Sequence, residues 1–402
     1  MIASIEFIPK GTVTSPRGFN AGATYAGIKN RSAGVLDLGI LVSDTPPRMT
    51  AVFTTNNFKA APITLSQQRL KTGRAAAVVV NSGCANAGTG EAGLADATEM
   101  TALAAEKLGL DAEQILVAST GIIGQRLPME KIRAGIAGIT PSAEGGHQLA
   151  RAIMTTDTVP KEIAVAVAGE FTIGGVAKGA GMIHPQMATM LCFLTTDAKV
   201  EAAFLAESLT KAADVSLNMI SIDGDTSPND MLLIMANGKA GGEAIGPDSP
   251  RGQLFQQALE KACIHLARAI AGDGEGATRL IEVTVKGAVS DHDARKAART
   301  VVSSPLVKTA IHGSDPNWGR ILAAAGRSGA RLEANRVDIS IGGIRLVAGG
   351  AALPVDLKKV SKNLGGKEVN ITIDLNLGDA SATAWGCDLS AEYVAINSEY
   401  TT

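Results

Sequence analysis

Lys178-Gly179-Ala180-Gly181-Met182-Ile183-His184-Pro185-Gln186-Met187-Ala188-Thr189-Met190-Leu191 changes character halfway along its length. The first half is glycine, lysine and proline, the material of an irregular loop. The second half runs into Met190-Leu191-Cys192-Phe193-Leu194, an apolar run of strand length. Thr189 stands at the junction, behind small Ala188. Its hydroxyl sits at the mouth of a buried strand, a position suited to a nucleophile. A β-branched residue is also an ordinary way to begin a strand. The stretch alone leaves both readings standing, and the rest of the chain has to choose between them.

Outward from that stretch, the sequence alternates short apolar runs with helical patterns. Gly34–Val42 and Met49–Thr54 read as strands joined at Pro46-Pro47, and Ala75–Asn81 reads as a buried strand. Asn81–Gly90 reads as an Asn- and Gly-rich loop, and Glu91–Leu108 as a helix. Gln114–Ala118 is a further strand ending in Ser119-Thr120-Gly121. Helices over Met129–Ala137 and Ala143–Met154 lead to a polar hinge, Thr155–Lys161. Ile163–Val167 and Glu170–Ile173 read as a strand pair feeding the opening stretch. After Thr189 come a strand to Thr195, a helix over Glu201–Val215, an acidic loop to Asp230 and a strand over Met231–Ala236. A long helix over Gly252–Ala271 ends in Gly272-Asp273-Gly274-Glu275-Gly276. The strand Arg279–Val285 follows, then a largely helical stretch over 291–330 in which Asp315 caps the last piece. The remainder reads as β-rich, over Arg336–Ile341, Arg345–Val347 and Glu368–Asp374, and the chain finishes in Tyr393–Thr402. Mixed α/β with layered sheets is the fold class, and no linker divides the chain.

Composition bounds the function. The 402 residues are 46% hydrophobic and 19% charged, with a formal net charge of -2 and no basic or acidic block. That argues against a nucleic-acid surface and against a membrane-docking face. Glycine is 45 of the 402 residues, about 11% against a usual ~7%. Tight turns and close backbone approaches are expected from the excess. Aromatics are only 3%, so the core is aliphatic. Cys84, Cys192, Cys263 and Cys387 are scattered without a CxxC spacing, as in reduced cytoplasmic proteins. Met1–Lys10 lacks the pattern of a signal peptide, and no apolar run is long enough to span a bilayer.

Familiar cofactor motifs are missing. There is no GxxxxGK[ST], and Gly272–Gly276 follows a helix where a dinucleotide loop would open one. Asp223–Asp230 is rich in oxygen donors but lacks the twelve-residue loop ending in Glu, so a hydrogen-bonded turn is the better reading. The five histidines form no HxxxH or HxH pair, which argues against zinc. His184, alone in its loop, reads as solvated. Three stretches do share a chemical theme. Thr120 and Gly121 offer a hydroxyl and an amide to an oxyanion. Lys178 is a cation near Thr189, and Glu275 is an isolated carboxylate in a glycine loop. Taken singly, each is also an ordinary turn, surface lysine or helix terminus.

Taken together, these stretches resemble one family. The segment 178–191 is similar to the autoprocessing motif of the ornithine acetyltransferase (glutamate N-acetyltransferase) family of arginine biosynthesis. Asn81-Ser-Gly-Cys-Ala-Asn-Ala, Ser119-Thr-Gly121, Thr155-Thr-Asp-Thr158, Ser221–Thr226, Gly272–Gly276, Asp315-Pro-Asn-Trp-Gly319 and Tyr400-Thr-Thr402 fit in order, so the resemblance covers essentially the whole chain.

The resemblance implies a self-cleaving enzyme cut between Ala188 and Thr189, with Thr189 as nucleophile. The freed α-amine, with a reference pKa of ~7.7–8.0, would be the base for its own hydroxyl. It implies acetyl transfer from N-acetylornithine to glutamate through an acetyl-Thr189 intermediate, with Thr120 and Gly121 as the oxyanion hole. The substrate-binding positions map to Thr155, Lys178, Thr189, Glu275, Asn397 and Thr402. It implies an Ntn-hydrolase-like (DOM-type) α-β-β-α sandwich with a smaller β-rich C-terminal α/β part. The α chain would be 1–188 and the β chain 189–402, sharing sheets and pairing into heterotetramers. No metal or cofactor is implied, and whether acetyl-CoA is a second donor stays open. A Thr-nucleophile amidase or aminopeptidase is the alternative enzyme, and a non-enzymatic binding protein the alternative outside enzymes.

Overall fold

Leu191 and Phe193 point into one hydrophobic layer, Cys192 and Leu194 into another. The apolar run is continuous because both faces of its strand are covered. Met231, Leu233 and Met235 likewise divide from Leu232, Ile234 and Ala236. The two strands, Leu191–Val200 and Met231–Ile245, lie side by side and parallel, with Leu191 opposite Met231.

The structure is a computed structural model that describes residues 4–29, 34–184 and 190–399. Ala188, Thr189 and Thr402 therefore lie outside the described residues. The two central strands belong to a six-stranded sheet in the order Ile5–Phe7, Lys161–Val167, Phe171–Lys178, Leu191–Val200, Met231–Ile245, Arg48–Phe53. A four-stranded sheet runs Phe19–Thr24, Leu38–Ser43, Ala77–Cys84, Ile115–Ile122. One layer lies between them: Val78, Val80, Leu116 and Ala118 meet Val176, Leu191, Phe193 and Leu233. The outer face of the smaller sheet, with Val79 and Val117, is covered by helices Gly90–Leu108 and Met129–Gly138 through Met100, Ala104, Ile132 and Ile136. The outer face of the larger sheet is covered by helices Ala202–Val215 and Pro250–Gly272. The layers are therefore α-β-β-α, as expected. A third, seven-stranded sheet is built from Ile220–Ser221 and the six strands between Leu280 and Cys387, and helix Asp291–Val302 packs on it.

Strands from before and after position 188 share the six-stranded sheet. Lys178 pairs with Leu191 across antiparallel neighbours, so residues 179–190 connect two adjacent strands.

The structure corrects several local readings. Lys178 is the last residue of a strand, not the first of a loop. Asn81-Ser82-Gly83-Cys84 continues its strand, because Asn81 Nδ2 donates to the Cys84 carbonyl at 2.9 Å and Ser82 Oγ donates to the Ala152 carbonyl. Helices Ala61–Leu70 and Leu357–Leu364 were not legible as helices. Asn317, not Asp315, caps helix Trp318–Gly326, its side chain accepting from Arg320 N at 3.2 Å. The terminal segment, unassigned from sequence, contains a helix, Ala391–Glu399. Ser390 Oγ accepts from Tyr393 N at 3.3 Å and opens it as an N-cap would.

Candidate active site

The two central strands begin, and Phe171–Lys178 and Ile115–Ile122 end, at the same edge of the sandwich. A cavity of about 240 Å³ opens there. Thr120, Gly121, Thr155, Lys178, Glu275 and Asn397 all line it, together with Met190 and Leu191. Of the residues singled out in the sequence, only Ala188, Thr189 and Thr402 are not placed by the described residues.

Thr120 and Gly121 lie where the ladder with Ala77–Cys84 slips register. Gly121 has φ +127, and a Cβ there would sit 2.4 Å from the Gly83 carbonyl carbon and 2.6 Å from Cys84 N. Positive φ and close approach both require glycine. Both residues pair with Ser82–Cys84 at this irregular strand end and also line the cavity.

Lys178 is buried, 7% exposed. Burial lowers its pKa, opposed by the carboxylates of Asp157, Asp230 and Glu275, while the nearby Lys161 charge adds to the lowering. Beneath it lies an ion network that sequence reading missed. Lys161 Nζ donates to Asp157 Oδ1 and to Asp273 Oδ2, both at 2.6 Å. Asp157 also accepts from Gly179 N at 2.7 Å and Thr155 N at 2.9 Å. Burial pushes the Asp157 carboxyl up, but Lys178, Lys161 and the Gly179 hydrogen bond together hold it well below the usual carboxylate range. Asp273 accepts from Thr158 N at 3.0 Å and from Thr158 Oγ1. The polar hinge at Thr155 is thereby fastened to the loop that carries Glu275.

Glu275 is also 7% exposed and accepts from Asn397 Nδ2 at 2.8 Å. Its backbone N–H donates to the Ala180 carbonyl at 2.8 Å. The terminal helix that brings Tyr393 and Asn397 is tied to the same loop, with Ser390 Oγ donating to the Gly276 carbonyl at 2.6 Å. The acidic loop is an anchor. Asp223 accepts from Met182 N at 2.6 Å and Ile183 N at 2.9 Å, which holds the chain entering the Thr189 motif. Burial nevertheless raises its pKa, against those hydrogen bonds. Among the described residues no three His, Cys, Asp or Glu side chains cluster to hold a metal, and no helix is long and apolar enough to cross a membrane.

His184 is half-buried and held by partners, more than a free loop residue. It lies outside this cavity, with Nδ1 3.0 Å from Ser221 Oγ and Nε2 3.2 Å from Arg299 Nη2. Burial and the Arg299 charge lower its pKa to about 4, against a small opposing effect of Asp225. The sign follows from proton uptake: between pH 6.5 and about 4 the unfolded chain binds a proton that folded His184 refuses. Stability contributed at this position therefore falls as pH drops through that window. His184→Gln should be less acid-sensitive than the wild type there, which urea unfolding midpoints at pH 7 and pH 4.5 would measure.

Comparison with known proteins places the chain in a family. Residues 20–402 match the ArgJ family. The chain is 55% identical to the arginine biosynthesis bifunctional protein ArgJ of Dehalococcoides mccartyi, over 100% of both chains. It is 52% identical to the protein of that name from Symbiobacterium thermophilum, over 98% of this chain and 99% of the relative. The crystal structure of the arginine biosynthesis bifunctional protein from Bacillus halodurans is similar at 42% identity and TM-score 0.50, covering 51% of this chain and 97% of its own. With its matched residues running from the second described strand to the C-terminus, the chain belongs to the ArgJ family.

Proposed function

We propose that the chain cuts itself between Ala188 and Thr189 and then transfers acetyl from N-acetylornithine to glutamate. The observation that carries this reading is the convergence of Thr120, Gly121, Thr155, Lys178, Glu275 and Asn397 on one cavity that Met190 and Leu191 also line. In maturation, Thr189 Oγ attacks the Ala188 carbonyl, the peptide C–N bond breaks, and the resulting ester is hydrolysed by water. The freed α-amine then takes the proton from Thr189 Oγ as it attacks the acetyl carbonyl. Thr120 Oγ–H and Gly121 N–H stabilise the oxyanion. Ornithine leaves protonated, and the glutamate amine takes the acetyl group from the ester.

The charges suit amino-acid substrates. Lys178 would pair with the α-carboxylate, and Glu275, oriented by Asn397, with an ammonium group. The half-length match to the solved relative supports two chains, residues 1–188 and 189–402. Because Lys178 and Leu191 are ladder partners, cutting between them leaves the sheet intact. Two such αβ units forming a heterotetramer, Thr402 completing the site, cytoplasmic residence and acetyl-CoA as a second acetyl donor complete the proposal.

Denaturing mass spectrometry of purified protein tests the cut: two fragments must meet at Ala188/Thr189, and an intact chain would refute it. Glutamate must capture acetyl from N-acetylornithine faster than water does, or the enzyme is an amidase instead. Lys178→Met should raise KM for N-acetylornithine by roughly 10- to 100-fold, the worth of a charge-assisted hydrogen bond. An unchanged KM would remove Lys178 from that role. Gly181→Ala is a gentler probe. Its Cβ would lie 2.6 Å from each Glu275 carboxylate oxygen, so the flexible acid swings away while the backbone stays. The expected result is KM raised by about tenfold with little change in Tm.

A further inference from the structure

Behind the His184 segment lies a second cavity, of about 630 Å³. Helix Asp291–Val302 supplies one wall through His292, Arg295, Lys296 and Arg299, which recur at helical spacing on one face. Ala294, Ala297, Ala298 and Val301 are the buried, opposite face. Arg327, just past helix Trp318–Gly326, and His184 add to the same wall. Among the described residues, four permanent cations line the cavity beside one carboxylate, Asp214. Asp214 reaches Arg295 at 3.7 Å but also accepts from Asn218 Nδ2 at 2.9 Å.

This concentration stands out from the rest of the chain, although Arg299 also contacts His184 and Arg295 also contacts Asp214. The whole chain carries a formal charge of -2, so the cavity runs against the average. Like charges at i,i+4, as in Arg295 and Arg299, destabilise a helix by a few tenths of a kcal/mol per pair. Burial lowers the pKa of Arg299, and the Arg299 charge in turn helps depress His184. Excess positive charge held in a partly desolvated concavity is the electrostatic complement of a multiply charged anion. Guanidinium groups match phosphate oxygens in bidentate fashion, and the volume is that of a small-molecule site.

We infer that this cavity is a binding site for a diphosphate-bearing ligand of nucleotide size, separate from the acetyl-transfer cavity. Arg299 and Arg295 would grip the phosphates from the helix, and Lys296 and Arg327 would close over them from the exposed rim. Two sources carry that chemistry: a free nucleoside diphosphate, and the nucleotide end of an acyl-CoA donor. The second source rests on acetyl-CoA being a donor.

Isothermal titration of the intact mature protein with inorganic pyrophosphate, ADP and CoA tests the site. Saturable binding, weakened at least tenfold in Lys296→Ala/Arg327→Ala and by added salt, is expected. No binding of any of the three, or binding unaffected by the double substitution, overturns the inference. Both residues are exposed, so the variant should keep its Tm and its KM for N-acetylornithine. A selective rise in KM for acetyl-CoA in that variant identifies the donor as the source. Weakened ADP binding with acetyl-CoA kinetics unchanged identifies a free nucleotide. If the wild type uses no acetyl-CoA at all, the donor reading fails while the pyrophosphate and ADP titrations still decide the site.

Discussion

Thr189→Ala should leave the protein as one uncut chain and abolish acetyl transfer. The proposal gives Thr189 two groups, and the substitution removes both from use. Without Oγ nothing attacks the Ala188 carbonyl, so the peptide bond stays closed. With the bond closed, the α-amine stays an amide nitrogen and cannot act as a base. Loss of a nucleophile typically costs about 10⁴-fold or more in kcat, because the remaining groups act only as a unit with it. Thr189→Ser separates the two functions, since it keeps a hydroxyl and an amine-forming position. It should cut and turn over, more slowly than the wild type. Intact-mass measurement and an ornithine-release assay on both variants check this. Cleavage in Thr189→Ala would move the nucleophile elsewhere in the chain.

The variant should still fold. The strands on either side of the cut, Phe171–Lys178 and Leu191–Val200, pair with each other, and Leu191–Val200 is sandwiched between two hydrophobic layers built from many other residues. An uncut, folded, inactive protein is therefore the specific expectation, distinct from a misfolded one. Far-UV circular dichroism and an unchanged or raised Tm would show it.

The sandwich was legible because its evidence is local. Buried strands such as Ala75–Asn81 and Met231–Ala236 announce themselves as apolar runs, and the long helix before Gly272 as a periodic stripe. Its Pro at the first turn and the Ser249 cap are likewise local signals. Thr120, Lys178 and Glu275 were nominated by residue type beside glycine and by the family resemblance. Their meeting in one cavity could not be read from spacing, since they come from separate strands and loops. The anchors were missed for the same reason. Asp157, Lys161 and Asp273 are ordinary charges in polar stretches, and their partnership spans 112 residues. The Asp223 carboxylate read as a turn residue, although it holds backbone amides 40 and 41 residues away. The terminal helix was not assigned, because Tyr393-Val-Ala-Ile carries no helical period and the Ser390 cap is its main local signal.

Those hidden anchors carry the second large effect. Lys161→Met should destabilise the fold by about 3–5 kcal/mol at neutral pH, the usual result of leaving a buried charge without its partner. The Lys161 side chain is 1% exposed, the Asp157 side chain 0% and the Asp273 side chain 9%, so water cannot replace the missing ammonium. Lys178 remains beside Asp157, but the proposal commits its charge to the substrate carboxylate. The pH dependence gives the mechanism a second readout. In the wild type the depressed pKa of Asp157 contributes stability above its ordinary value of 3.8, and that contribution is lost as pH falls through the folded-state value. In Lys161→Met, burial is opposed by fewer partners, so the depression shrinks and less stability is there to lose. The stability gap between the two proteins should therefore narrow as pH falls through the carboxylate range, which guanidinium unfolding at pH 7 and at pH 3 would measure. Activity should fall with the loosened network, because Lys161 joins the Thr155 hinge to the Glu275 loop. The loss should appear mainly as a raised KM for N-acetylornithine, with autocleavage retained. A Lys161→Met protein of wild-type stability would mean that the buried carboxylates are neutral, and that Lys178 alone organises this side of the cavity.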